Sequence, residues 1–329
     1  MNIKLQTGSE GRVLKHGDFS LRCLDTKSID IKPGEIIVFC CVRNELLRLP
    51  YFLEYHKTLG VDRFIFVDNG SIDGTVDFLL SQADVNVFYT QESYAKSRCG
   101  VDWLNMLLRE FGPGHWTLTL DADELLVYPM CEHENLRTLI RYLESVDAEA
   151  LQTFLLDMYS DKPIKETFYT SGESFTSVCN YFDGDTYHQR GPKGVPIRGG
   201  PRHRLFWQGK DHSKPSPVLE KVPLVKWRED LSYTASTHNL SGVELAPITG
   251  VLQHFKFFSD FITLTEIETL RKEHWDNAAQ YGIYWGEFRL NPNLTALYED
   301  SIAYIDSMQL VKLGLISCQD SYLVFLDSL

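Results

Sequence analysis

Residues 36–75, IIVFCCVRNELLRLPYFLEYHKTLGVDRFIFVDNGSIDGT, decide how this chain folds. They open on IIVFCC (36–41), a short unbroken apolar run of the kind that fills a strand covered on both faces. Pro50 then stands in the first turn of a helix, where its missing N–H costs nothing. Leu49, Phe52, Leu53, His56 and Leu59 recur at helical spacing, and Gly60 closes that helix. FIFV (64–67) is a second buried strand, and the turn after it leads into a short capped helix over 73–80. A strand, a helix and a strand in this order build a right-handed crossover onto a parallel sheet.

Working outward, the pattern repeats. A third strand is expected over 85–89 and a helix over 97–111, with Val101, Leu104, Leu108 and Phe111 on one face. A fourth strand follows over 116–120. Strands alternating with helices place the chain in the α/β class, with a mostly parallel central sheet flanked by helices. Such sheets bind ligands just beyond the carboxyl ends of their strands. Residues 1–34 are weakly patterned, an N-terminal arm or small strand segment. Beyond Leu151 the signal is mixed, with one more strand over 250–258. The stretch 183–217 is rich in Gly and Pro and reads as a long loop. It carries Arg190, Lys193, Arg198, Arg202, Arg204, Lys210 and Lys214, a basic segment in an acidic protein. From 259 to 329 a helical C-terminal region is expected.

The 329 residues are 43% hydrophobic and 23% charged, an ordinary globular composition, with a net charge of −13. That charge argues against a nucleic-acid partner, which would call for a basic face. The seven cysteines include no CxxC pair, and several sit in apolar runs, as reduced thiols of a cytoplasmic protein do. The first twenty residues lack the apolar core of a signal peptide, and no apolar stretch approaches the ~18 residues a membrane span needs. The expectation is a cytoplasmic protein, with peripheral association at the inner membrane face as the furthest alternative.

Each strand of the βα series delivers polar groups just past its end: Arg43, Asn44 and Glu45 after the first, Asp68 and Asn69 after the second, Gln91 and Glu92 after the third, and Asp121-Ala122-Asp123-Glu124 after the fourth. No GxGxxG follows the first strand, and GxxxxGK[ST], GxSxG and HExxH are absent. These absences weigh against dinucleotide-binding, P-loop, α/β-hydrolase and zinc-protease chemistry. The Asp121-x-Asp123 pair is the most informative feature. Two carboxylates on a tight turn can hold a hard divalent cation, Mn2+ or Mg2+, and leave its other positions to phosphate oxygens and water. Acidic residues also punctuate strand ends without binding anything, and Asp68 reads equally as a turn or capping residue. His254, in the apolar run VLQHFKFF, is a core histidine unless its strand brings it beside Asp123, where imidazole would complete a metal site. Asp157, at the end of LQTFLLD, is the candidate general base, with a plain strand-end turn as the alternative.

Segments 43–75 and 114–129 resemble bacterial family 2-like glycosyltransferases, which carry an Arg-Asn-Glu after the first strand, a VDNxSxDGT turn and a DxDE. The similarity continues through LLDMYSD, GGPRHRLFW, KVPLVKW and LQHFKFFSDF, over roughly 35–285. It implies the GT-A nucleotide-diphospho-sugar transferase fold over 35–258, with a nucleotide-sugar half (35–130) and an acceptor half (131–258). It implies transfer of a sugar from a nucleotide-diphosphate donor to an acceptor hydroxyl of a glycan or glycolipid, in polysaccharide biosynthesis. Carried over by residue, Asp68 would meet the nucleobase, with Arg43, Asn44 and Glu45 nearby. Asp121 would lie at the ribose and metal, Asp123 and His254 would bind the metal, and Arg98 with Arg202 or Arg204 would face the phosphates. The base of the processive synthases has no counterpart here. Two rivals stand beside this reading: a nucleotidyltransferase on a related α/β sheet, disfavoured by Arg43-Asn44-Glu45 where a basic Gly-rich signature would be expected, and a non-catalytic nucleotide-sugar scaffold.

Overall fold

The computed structural model describes residues 6–8, 11–26, 29–187, 196–234, 236–238 and 240–329. In chain order the N-terminal strands are β1 (Gln6–Gly8), β2 (Gly11–His16) and β3 (Phe19–Cys23). The βα series follows: β4 (Ile36–Val42), α1 (Leu49–Thr58), β5 (Arg63–Asp68), α2 (Thr75–Leu80), β6 (Val85–Tyr89), α3 (Val101–Phe111) and β7 (Trp116–Thr119). Then come β8 (Glu124–Val127), α4 (Leu136–Ser145), β9 (Ala150–Asp157), β10 (Tyr181–Asp183), α5 (Gly200–Phe206), β11 (Glu220–Lys226) and β12 (Leu245–His254). The remainder holds α6 (Asp260–Arg271), α7 (Trp275–Leu290), β13 (Ser301–Ala303), α8 (Ser307–Lys312) and α9 (Asp320–Asp327), with β13 paired to β10.

Among the described residues, eleven strands make one sheet in the order β1-β2-β3-β6-β5-β4-β7-β11-β9-β12-β8. Its middle, β6-β5-β4-β7, is parallel, as the alternation of apolar runs and helices requires. Both faces of β4 are covered. Ile36, Val38 and Cys40 join one apolar cluster, which also takes residues of α1 and α4, while Ile37 and Phe39 join a second cluster that includes the inner face of α3. That double burial is why the run IIVFCC carries no polar alternation. A third cluster, around Phe206, Phe261, Tyr284 and Phe288, seats α5 against α6 and α7.

The strand directions create the site. β11 is antiparallel to both β7 and β9, and β9 is parallel to β12. β4, β5, β6, β7, β9 and β12 therefore all end at one rim. β11 runs the other way, so its first residues, Glu220 and Lys221, reach that same rim.

The boundaries depart from the sequence reading in several places: the strand expected over 116–120 ends at Thr119, the helix expected over 73–80 starts at Thr75, and the region expected to be helical over 259–329 contains β13. The helix expected over 97–111 starts at Val101, because Arg98, Cys99 and Gly100 take left-handed backbone and Ser97 Oγ accepts from the Gly100 N–H. The strand expected over 250–258 ends at His254, where the Phe255 N–H turns to donate to the Asp123 carbonyl (2.8 Å). The loop expected over 183–217 contains α5, since Gly199 and Gly200 supply a turn and Pro201 sits in the helix's first turn. Arg190 and Lys193 lie outside the described residues.

Candidate active site

β7 ends in the middle of the sheet, whereas β8 pairs with β12 at its far edge. Residues 120–123 link the two strands at the rim. They form a tight turn: the Glu124 N–H donates to the Asp121 carbonyl (3.1 Å), and the Asp121 N–H donates to Glu124 Oε2 (3.0 Å). In the ladders His254 stands opposite Glu124 on β8 and Asp157 on β9. The imidazole is thereby held between two carboxylates. His254 Nε2 lies 3.2 Å from Asp123 Oδ2, and Nδ1 lies 2.5 Å from Asp157 Oδ1. Arg202 Nε donates to the other Asp157 oxygen (2.7 Å). A row Asp123–His254–Asp157–Arg202 leads from the rim into the interior.

This row borders a cavity of about 1560 Å³ whose wall includes Arg43, Glu45, Asp121, Asp123, Lys221 and His254. Burial alone would push the His254 pKa down, but the Asp123 charge and the bonds to Asp123 and Asp157 outweigh it and hold it above the usual range. Burial likewise works to raise Asp123, yet His254 holds that carboxyl well below its usual value. Burial prevails at two neighbours. Glu45 is pushed up to about 8 despite Arg48, and Glu124 to about 7 despite Lys221.

Carboxylate oxygens of Asp121, Asp123 and Glu124 come within 4.8 Å of one another. Lys221 reaches between two of them, 2.8 Å from Asp121 Oδ2 and 2.5 Å from Glu124 Oε1, with its own side chain only 4% exposed. The ammonium thus already neutralises the Asp121–Glu124 side. The groups facing the cavity that could hold a cation are Asp123, the Asp121 oxygen not bonded to Lys221 and, once it gives up the proton it shares with Asp123, the His254 Nε2; hard oxygens with a borderline nitrogen suit Mn2+ or Mg2+ with further positions open.

The structure brings some of the expected residues to this cavity and withholds others. Arg43, Glu45, Arg98, Asp121, Asp123, Arg202 and His254 line it. Asn44 does not. Its Oδ1 accepts from the Ile72 N–H, its own N–H donates to Ser71 Oγ, and Arg43 donates to the Asn69 carbonyl (2.6 Å). The Arg-Asn-Glu segment and the DNGSIDGT turn are buttoned to each other, which accounts for much of their polarity. Asp68 is fully buried beneath that turn, with Oδ1 accepting from the Ser71 N–H and Oδ2 without a partner. Arg98 pairs with Asp102 at the mouth. Arg204 turns away to Asp183 and lies 3.9 Å over the Tyr298 ring, so it faces no phosphate site. Asp157 is 0% exposed with both oxygens engaged, a placement that orients His254 and keeps any acceptor hydroxyl out of reach.

Lys221, His238 and Lys256 also line the cavity and were not singled out from the sequence. Lys221 escaped because it begins an antiparallel strand, where attention to strand ends does not look. His238 is half-buried, its pKa pushed down to about 4 by desolvation, with Nδ1 against the Glu220 carbonyl. For Lys256 a signal existed: a lone lysine two residues beyond His254 in an otherwise apolar run.

No protein-family model matches the chain, and no curated protein matches it. Among the solved structures that it resembles in outline are two of enzymes. One is a putative glucose-1-phosphate thymidylyltransferase from Bacillus anthracis in complex with a sucrose, at 13% identity over 88% of this chain and 98% of that one, with a TM-score of 0.31. The other is a UDP-glucose pyrophosphorylase from Acinetobacter baumanii, at 9% identity over 59% of this chain and 75% of that one, with a TM-score of 0.27. At these scores the likeness carries no argument about this chain's chemistry.

Proposed function

We propose that this chain is a glycosyltransferase that holds a nucleotide-diphosphate sugar in the rim cavity with a divalent cation and passes the sugar to an acceptor hydroxyl on a glycan or glycolipid. One observation carries the reading: Asp123 and His254, 131 positions apart in the numbering, meet at 3.2 Å on the wall of a cavity at the common end of parallel strands. A carboxylate–imidazole pair facing a roomy cavity is a natural seat for a cation bridging to diphosphate. When bound, the cation would lessen the charge developing on the leaving diphosphate. Asp157 and Arg202 would fix the imidazole's orientation, and Lys221 would hold Asp121 and Glu124 in place. In this arrangement Asp157 is a positioning group instead of the general base.

The test is a panel of nucleotide sugars with manganese, assayed for free nucleoside diphosphate. Metal-dependent release supports the proposal. Pyrophosphate formed from a nucleoside triphosphate and a sugar phosphate would replace it with nucleotidyl transfer. Stabilisation by nucleotide with no turnover on any acceptor would indicate a binding scaffold.

A further inference from the structure

A diphosphate leaving group calls for fixed positive charge on the cavity wall, and most of the cations at hand are already committed. Arg202 is bound to Asp157, Arg204 to Asp183, and Lys221 to Asp121 and Glu124. Lys256 differs. It follows His254 by two residues, just past the end of β12, and lines the cavity with its side chain partly buried. Its ammonium stands 5.4 Å from the Phe261 ring centre and 5.5 Å from that of Tyr281. None of the ion pairs among the described residues includes it, while Asp123 acts on it only through space.

Aromatic faces stabilise a cation less than a carboxylate in contact does. They do, however, hold the side chain in one direction. A lysine withdrawn from water, with two rings and the Tyr281 hydroxyl as its side-chain partners and no contact anion, has capacity for an anionic ligand. It lines the cavity together with Asp123 and His254.

We propose that Lys256 binds the donor's diphosphate directly. The inference rests on the nucleotide-sugar reading above and adds a residue to it. In the transfer, the bond between the anomeric carbon and the β-phosphate oxygen breaks, and its electron pair stays on that oxygen. The acceptor oxygen bonds to the anomeric carbon and its proton passes to solvent. Lys256 meets the charge that gathers on the departing phosphate, so it contributes more as the bond breaks than before.

The test is calorimetric titration of the full chain, with manganese, against UDP, GDP, CDP, ADP and dTDP. The diphosphate that binds is then compared with its monophosphate and its nucleoside. Lys256→Met should weaken the diphosphate ~tenfold or more and leave the nucleoside nearly unchanged, and Lys256→Arg should recover most of the loss. If Lys256→Met binds the diphosphate like the wild type, the role of Lys256 is overturned while the nucleotide-sugar reading stands. If the wild type binds none of the five, that reading itself has failed. Should Lys256→Met not fold, Lys256→Gln is read the same way. An equal loss for nucleoside and diphosphate would mark a structural role and overturn the proposal.

Discussion

The side chains at the rim are arranged as alternating charges, and two of them can be tested singly. Asp123 meets His254 but lends little to the core, being on the cavity wall. Asp123→Ala should abolish manganese-dependent binding of nucleoside diphosphate and cost about 1 kcal/mol or less in urea unfolding. Undiminished manganese-dependent binding in that variant would remove the residue from the metal site. Lys221 is the opposite case. It is the counter-ion of Glu124, which is 0% exposed, and of Asp121. Lys221→Met strands a buried carboxylate and should destabilise the protein by about 3 kcal/mol. A loss under about 1 kcal/mol would mean that Glu124 is neutral and that the clamp has little energetic weight. Asp121, Asp123 and Asp68 could be picked out in the sequence because each sits at a recognisable strand end. Their partners could not, since nothing in the local pattern says that a lysine a hundred positions later closes on the same turn.

At the scale of elements, α1 shows how an amphipathic helix absorbs a polar side chain. His56 is wholly buried, with Nδ1 2.9 Å from the Phe52 carbonyl, Nε2 unpartnered and its ring 4.5 Å from that of Phe52. Burial pushes its pKa down to about 4. The unfolded chain keeps the ordinary value near 6.5, so below that pH the unfolded state binds a proton the folded state refuses. Stability is complete above about pH 6.5 and falls as the pH drops toward 4, by about 3 kcal/mol for this one group. Urea unfolding at pH 4.5 and pH 7 should show a smaller difference for His56→Phe than for the wild type. An equal difference would reject the assignment. The elements themselves were mostly legible: β4, α1, β5, β6 and β7 fall where periodicity puts them. α5 was not. Gly199, Gly200 and Pro201 are loop signals locally, and only packing of Phe206 against Tyr284 and Phe288 makes a helix worthwhile there.

For the whole molecule, the decisive tie runs between the start of α1 and the start of α6. Arg48, 4% exposed, donates from both terminal nitrogens to Asp260 (2.8 and 3.0 Å) and lies 5.5 Å from the centre of the Phe258 ring. It holds the strand-end region around Glu45 to the segment that follows His254 and Lys256. Arg48→Met should cost about 2 kcal/mol and speed limited proteolysis within 259–329. Unchanged cleavage would show that the apolar cluster around Phe261 and Tyr284 suffices to seat that region. The sequence alone determined the parallel middle of the sheet, because burial on both faces forces unbroken apolar runs and crossovers force the helices between them. It also marked Asp121 and Asp123, since a strand end is a local signal, whereas His254 reads as a core histidine unless its strand brings it beside Asp123. Which cations face those carboxylates, and that Asp157 points inward to His254 while Arg204 turns away, was decided only in three dimensions. Antiparallel β11 and the turn after β12 carry distant residues to one rim, and charge pairing across such distances leaves no periodic trace in the chain.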